Sequence, residues 1–280
     1  MPNRVLRDFI LRCLREDIGD GDYSSVACIP DNATGKARLL VKEKGVLSGC
    51  MIAREVFTTV DKELIFEPFI ADGNEIIPGN IVFQISGRNQ SILKSERLVL
   101  NIMQRMSGIA TSTRQYVKML EGLKTKVLDT RKTTPGMRFL EKEAVRTGGG
   151  VNHRMGLYDM IMLKDNHIDY AGGVENAVRS TLDFLSRTKK DLKVEIEARN
   201  LDDVRKILEL GGADCIMLDN FTLDETREAV RLIAGRCETE SSGGITLDTI
   251  RNYAECGVDY VSVGALTHNI KSLDMSLKAF

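Results

Sequence analysis

The sequence predicts an α/β protein: an N-terminal α/β sandwich domain followed by an open, incomplete parallel α/β barrel. Three observations carry this prediction. From Lys124 onward, short apolar runs of strand type alternate with helical stretches, the pattern of repeated β-then-α units around a parallel sheet. Only six such strands can be counted (126–128, 160–163, 192–197, 215–218, 237–240 and 260–263), too few for a regular eight-unit barrel. Before Lys124 the texture differs: short β runs such as 37–41 and 81–85, broken by Gly and Pro turns, suit a small sandwich.

In chain order, residues 3–17 place Val5, Phe9, Ile10 and Leu14 on one side of an amphipathic helix. It ends in the acidic, Gly-punctuated stretch 16–25. Counted as a calcium loop from Asp17 or Asp20, this stretch lacks the Gly required at the sixth position and the Glu at the twelfth, which rejects that reading. A helix over Cys50–Val60 interrupts the sandwich strands. Between Ser91 and Leu120 the chain turns strongly helical, with a wide apolar face made by Leu93, Leu98, Val99, Ile102, Met103 and Met106. Within it Arg105 sits between Gln104 and Met106, where snorkelling or a structural ion pair is the plain explanation. In the second half, helices follow at 201–208, 222–233 and 247–254.

Composition narrows the partner. The 280-residue chain holds 39 basic and 40 acidic residues, so no basic face advertises nucleic acid and the expected ligand is small. The N-terminus shows no apolar run long enough for a signal peptide or a membrane span. Six scattered cysteines without a Cys-x-x-Cys pair read as reduced thiols, and the expected location is cytoplasmic.

Function should lie where barrel strands end and loops begin. Arg131 and Lys132 follow the first barrel strand, Lys164 the second, Glu197 ends the third, Asp219 and Asn220 follow the fourth, Ser242-Gly243-Gly244 the fifth, and Gly264 and His268 the sixth. Arg131, Lys132, His153, Arg154 and Lys164 are interleaved with Thr, Gly and Asn, which expose hydroxyls and backbone N–H groups and so suit a ligand with several negative groups. Each position also has a structural reading: Asp219-Asn220 as a helix cap, the glycine segments as ordinary turns, and His167 as an organiser of the Lys164-Asp165-Asn166 turn. The three histidines, His153, His167 and His268, all fall in these loops. Glycine in the last two loops of a barrel allows the close backbone approach a phosphate needs.

The strings Thr130-Arg-Lys-Thr-Thr-Pro-Gly136, Gly148-Gly-Gly-Val-Asn-His-Arg-Met-Gly-Leu-Tyr-Asp159, Lys164-Asp-Asn-His167, Met217-Leu-Asp-Asn220, Ser242-Gly-Gly-Ile245 and Ser262-Val-Gly-Ala-Leu-Thr-His268 resemble the quinolinate phosphoribosyltransferase family, also called nicotinate-nucleotide pyrophosphorylases. The likeness extends to Glu16–Asp22 and Gln104–Thr111 and so covers essentially the whole chain. Departures are small: Tyr23-Ser24 and Met137 stand where the family usually has other residues, Val151 occupies a variable place in the glycine run, and none replaces a charged site residue.

The resemblance implies a sandwich domain over 1–110, with 270–280 returning to it, and a catalytic barrel over 111–269. It implies phosphoribosyl transfer from phosphoribosyl pyrophosphate to quinolinate with decarboxylation, giving nicotinate mononucleotide, pyrophosphate and carbon dioxide on the way to NAD. Carried over by residue, Arg131, His153, Arg154 and Lys164 hold the quinolinate carboxylates, joined by Arg105 from a neighbouring subunit of a homodimer. Lys132 and Lys164 face the pyrophosphate. Glu197 and Asp219 stabilise the oxocarbenium-like centre and hold Mg2+, directly or through water. Ser242, Gly243, Gly244, Gly264 and His268 take the 5′-phosphate. Lys132, Lys164, Glu197 and Asp219 are thus the expected catalytic set.

Three rival readings compete with this one. A paralogue of the same fold encoded beside molybdate transporters is expected to lack the full 152–154 and 164–167 strings. A Schiff-base lyase or aldolase would want one lysine desolvated among apolar residues, whereas Lys132 and Lys164 stand among other cations. A non-catalytic anion-binding module has no use for Glu197 and Asp219 beside the cations.

Overall fold

The computed structural model describes residues 3–280. In chain order its elements are α1 (Asn3–Ile18), α2 (Tyr23–Cys28), β1 (Thr34–Val41), β2 (Gly45–Val46), α3 (Cys50–Val60), β3 (Ile65–Pro68), β4 (Glu75–Ile76), β5 (Ile81–Arg88) and α4 (Asn89–Met119). There follow β6 (Lys126–Leu128), α5 (Arg138–Gly148), β7 (Ile161–Leu163), α6 (Asp165–Tyr170), α7 (Val174–Thr188), β8 (Val194–Ala198), α8 (Leu201–Leu210), β9 (Cys215–Asp219), α9 (Leu223–Ile233), β10 (Glu238–Ser242), α10 (Ile250–Ala254), β11 (Tyr260–Ser262), α11 (Ala265–His268) and β12 (Met275–Ala279). They group into two compact units, one of Met1–Arg114, Thr134–Gly149 and Asn269–Phe280, the other of Gln115–Thr133 and Gly150–His268.

The first unit is built on an antiparallel sheet in the order β12-β1-β5-β3. The chain's last strand pairs with its first, Leu39 opposite Leu277, so the C-terminal segment returns to this sheet. Phe57 of α3 packs against Phe83 and Phe66 with ring centroids 5.8 Å and 6.1 Å away, in an aromatic core of the kind that dominates burial energy. On α1, Leu6, Phe9, Ile10 and Leu14 are buried. Val5, assigned to that apolar side, is 47% exposed, because Leu6 falls on the buried stripe instead. Leu93 is likewise exposed on α4, while Leu98, Val99, Ile102, Met103 and Met106 are buried. The acidic stretch does local work: Asp22 caps α2 by accepting from the Ser25 backbone and hydroxyl.

The first unit takes in Thr134–Gly149, a stretch that lies in sequence between two segments of the second. There α5 sets Phe139 edge-on to Phe9, and Gly148 lies so close to Ala110 and Thr113 that a side chain at 148 would collide with them.

The second unit is one parallel sheet in the order β6-β11-β10-β9-β8-β7. Its registers are continuous across β8, β9 and β10: Glu197 lies beside Met217, and Met217 beside Glu240. Among the described residues no ladder joins β6 to β7, and beyond β6 lies only an isolated bridge, Leu128 to Val151. The barrel is therefore open, with the six strands read from the sequence. The helices start on their own signals: Asn200 caps α8, and Thr222 with Glu225 forms a capping box on α9. Among the described residues no helix is long and apolar enough to cross a membrane.

Candidate active site

Strand alternation decides which side chains meet inside the barrel. In β8 a period of two puts Glu195 and Glu197 on one face, away from Val194 and Ile196. In β10 it puts Glu240 and Ser242 together. At the C-terminal ends of the strands Glu240 and Ser242 face a cavity of about 240 Å³. Arg131, Lys132, Arg154 and Lys164 line it with His153, Ser242 and Glu240, so four cations meet one carboxylate. Thr130, Ser262 and two methionines, Met162 and Met217, complete the wall.

Burial and mutual repulsion shape the cations. The Arg154 guanidinium is held below its usual proton affinity by burial and by the neighbouring charge of Arg131. Lys164 reaches Glu197 at 3.6 Å, and Glu197 also accepts from the Asp165 amide at 3.4 Å. Burial pushes the Glu197 carboxyl up, Lys164 opposes it, and the negative charge of Asp219 adds to it. Two carboxylates thus share a site that a cation would relieve, and oxygen donors of this kind suit magnesium.

The remaining expected residues take these places. Asp219 ends β9 and accepts from the Asn220 side chain. It does not cap α9, since Thr222 does. Asn220 instead adopts a left-handed φ of 56° and donates its backbone N–H to Ser242, joining two strand ends. Gly243, at φ 102°, packs against Asn220 with no room for a side chain. Gly264 is flanked by Lys132 and His268, whose atoms would lie 3.1 Å and 3.3 Å from an added Cβ. Gly244 sits in the same glycine turn as Gly243, at φ 58°. His167 accepts the Lys164 backbone N–H at Nδ1 and organises the start of α6, which is the structural reading given above.

Arg105 lies in the first unit. Its side chain is engaged within the chain, donating to Glu141 at 2.8 Å and to Thr134 at 2.7 Å, the ion pair that a lone helix Arg suggests.

Sequence reading missed Glu195, Glu240 and Asp129. Asp129 accepts the His153 backbone N–H at 2.9 Å. Glu195 accepts from His153 Nε2 at 2.7 Å, with Glu240 3.5 Å from the same nitrogen. Burial alone would lower the proton affinity of His153, but the hydrogen bonds and charge of Glu195 and Glu240 outweigh it and push it up to about 9. The Arg154 amide donates to Nδ1 at 2.7 Å, a contact that needs a lone pair there. The two influences oppose each other: the paired acids favour a second proton on the ring, whereas the Arg154 contact requires a bare Nδ1. The geometry therefore puts the proton on Nε2 toward Glu195, and a second proton would displace the Arg154 amide. The signal for these acids was the Val-Glu-Ile-Glu and Glu-Thr-Glu alternation, which a buried parallel strand would not otherwise show.

The six cysteines are all free. Cys50, Cys215 and Cys256 are buried and Cys28 is exposed. Burial pushes the Cys50 thiol up to about 12 and raises Cys215 further, so neither is an activated thiolate.

Comparison with known proteins assigns the family. The description "Quinolinate phosphoribosyl transferase, N-terminal domain" matches residues 22–107, and the corresponding C-terminal domain matches 109–278. The chain belongs to the quinolinate phosphoribosyltransferase family. It is 44% identical to a chloroplastic nicotinate-nucleotide pyrophosphorylase (carboxylating) of Oryza sativa subsp. japonica, an alignment covering 99% of this chain and 78% of that protein. It is 39% identical to a probable nicotinate-nucleotide pyrophosphorylase (carboxylating) of Bacillus subtilis, over 98% of this chain and 92% of the other. Among solved structures it superposes on NadC from Streptococcus pyogenes with a TM-score of 0.93 and 41% identity, covering 100% of this chain and 99% of that one. The likeness thus spans both family domains, and the cation-lined cavity lies in the part matched by the C-terminal one.

Proposed function

We propose that this quinolinate phosphoribosyltransferase-family chain joins quinolinate to phosphoribosyl pyrophosphate and removes one carboxylate, giving nicotinate mononucleotide, pyrophosphate and carbon dioxide for NAD biosynthesis. The observation that carries the reading is the excess of cations in the barrel cavity: Arg131, Lys132, Arg154 and Lys164 against Glu240. A dicarboxylate and a sugar bearing phosphate and pyrophosphate supply the missing negative charge, and a half-buried cleft strengthens each charge-assisted contact.

In this reading Arg131, His153, Arg154 and Lys164 form the quinolinate end, and Lys132 with Lys164 the pyrophosphate end. Glu197 and Asp219 orient the ribose and stabilise positive charge as the C1–pyrophosphate bond breaks. They would also hold Mg2+, which supplies neutralising charge to the departing pyrophosphate. Ser242, Gly243, Gly244, Gly264 and His268 receive the 5′-phosphate through backbone N–H groups and short side chains. When the pyridine nitrogen bonds to C1, its positive charge lets the C2 carboxylate leave as carbon dioxide, its bonding electrons remaining at C2 until a proton replaces it. No enzyme nucleophile is needed. A Schiff-base route is disfavoured because Lys132 is exposed and the Lys164 side chain is 45% exposed beside Glu197.

Arg105 would complete the quinolinate end of a partner subunit's site in a homodimer, exchanging its Glu141 contact for a carboxylate of the substrate. Six free thiols suit a reducing compartment, and we place the protein in the cytoplasm.

Mass spectrometry of the purified protein with quinolinate, phosphoribosyl pyrophosphate and Mg2+, omitting each in turn and with nicotinate as a decoy, tests the proposal. Nicotinate mononucleotide formed from quinolinate alone, with matching carbon dioxide, is the expected result. No product from folded protein would favour the paralogue.

A further inference from the structure

Two acids are buried in the barrel where apolar side chains would cost less. The side chains of Glu195 and Glu240 are 2% and 1% exposed, and desolvating a carboxylate is expensive unless it is fully paired. Both are only partly paired: the Oε1 atom of each finds no hydrogen-bond partner among the described residues. Burial and the nearness of Glu195 accordingly push the Glu240 carboxyl up, against hydrogen bonds from His153 and Ser262. Stability alone does not account for such a pair in a sheet core.

What the pair touches indicates its use. Both carboxylates converge on one atom, His153 Nε2. The opposite ring nitrogen receives the Arg154 amide, and the His153 amide is tied to Asp129. The ring is thereby held at both nitrogens, and the backbone that launches the Arg154 side chain is held with it. The guanidinium is steadied further on by the Met160 carbonyl at 3.4 Å. A second cavity, about 210 Å³, reaches toward the N-terminal strand ends past Glu195, Cys215 and Tyr260. His153, Arg154 and Glu240 line both cavities, so this layer is the floor of the catalytic one.

We propose that Glu195 and Glu240 are positioning residues for the dicarboxylate substrate, gripping His153 Nε2–H so that Arg154 is aimed into the catalytic cavity. The inference rests on the functional reading above for the identity of that substrate. It gives two residues with no expected contact to substrate a defined role, exerted through His153. His153 in turn has both ring nitrogens engaged before any substrate arrives.

The test combines a spectroscopic readout with two affinities. In the wild-type protein, nitrogen-15 NMR of the His153 ring should show Nε2 protonated and Nδ1 engaged. Calorimetry should show that Glu195→Ala weakens quinolinate binding at least about tenfold, or 1.4 kcal/mol, while phosphoribosyl pyrophosphate binding changes less than about twofold. Glu195→Gln, which keeps an acceptor oxygen at the same place, should restore most of the quinolinate affinity. Should Glu195→Ala fail to fold, Glu240→Gln and the wild-type spectrum decide. An unprotonated Nε2 in the wild type, or a loss that falls equally on both ligands, would overturn the proposal. Because binding and the spectrum need no turnover, a protein that holds quinolinate without making product refutes the assigned reaction and leaves this inference standing.

Discussion

The two ends of the barrel carry the same kinds of residue and arrange them oppositely. At the N-terminal strand ends a cavity of about 450 Å³ is lined by Lys124, Lys193 and Arg236 together with Asp214, Glu238 and Asp259. Three cations there meet three acids; two ion pairs are made, Lys124 to Asp259 at 3.0 Å and Lys193 to Glu238 at 3.3 Å, while Arg236 donates to the Leu232 and Ile233 carbonyls and Asp214 accepts from the Val194 amide. At the C-terminal ends the smaller cavity sets four cations and His153 against Glu240. Size therefore does not mark the functional end, since the larger cavity is electrically complete. Charge left for a ligand to complete marks it, and the strand ends that carry it are those where barrels place their chemistry.

The sharpest way to break this contrast is to remove cations at each end. Lys164→Ala or Arg154→Ala should lower kcat/KM for nicotinate mononucleotide formation by at least about 100-fold, roughly 3 kcal/mol of transition-state stabilisation, with thermal unfolding nearly unchanged for the half-exposed Lys164. If instead both variants keep wild-type rates, the incomplete end is not the catalytic one.

In the proposed homodimer, Arg105 would extend the contrast to a second subunit. Arg105→Ala and Lys132→Ala should each be inactive when pure. Mixed dimers of the two should regain about a quarter of wild-type activity, as expected when half the dimers are hybrid and one site in each is intact. No recovery in demonstrated hybrids would confine Arg105 to its Glu141 pair.

At the balanced end the effects should fall on stability. Asp259 accepts from the Thr239 amide and hydroxyl as well as from Lys124. Burial alone would raise its proton affinity, but these bonds outweigh it and hold the carboxyl below its usual range. A depressed folded value means that its stabilisation is complete above about pH 4 and disappears as the pH falls through the folded value. Asp259→Ala should cost about 1 kcal/mol in urea unfolding at neutral pH, a difference that shrinks in acid, with activity within about twofold. Smallest of all, Lys193→Ala should change stability by less than about 0.5 kcal/mol and leave turnover unchanged. A large activity loss there would erase the distinction between the ends.

The open barrel was legible because its strands are short apolar runs at regular spacing, and all six pair in the observed sheet. Arg131, Lys132 and Lys164 were legible because they follow strand ends, and Arg154 because it stands in the polar Asn152-His153-Arg154 loop. Helices α5 and α7 were not, since Arg138–Gly148 and Val174–Thr188 mix charged and apolar residues without a strong start signal: Met137 and Gly173 precede them with no side-chain cap. The acid pair was hidden for a different reason. Glu195 and Glu240 look like the solvent side of alternating strands, and although the register through β9 sets Glu240 level with Glu197, the assembled sheet brings Glu195 and Glu240 onto one histidine. Glu141 was equally invisible as the partner of Arg105, 36 residues away in sequence. Local pattern announces elements and strand ends; partnerships made across the fold appear only once the sheet is assembled.

The most direct test of the account is a crystal structure with quinolinate bound. The account predicts the dicarboxylate in the cavity of about 240 Å³, its carboxylates against Arg131, Arg154 and Lys164 above an undisturbed His153–Glu195 contact. Quinolinate seated instead among Lys124, Lys193 and Arg236 at the opposite end would contradict it.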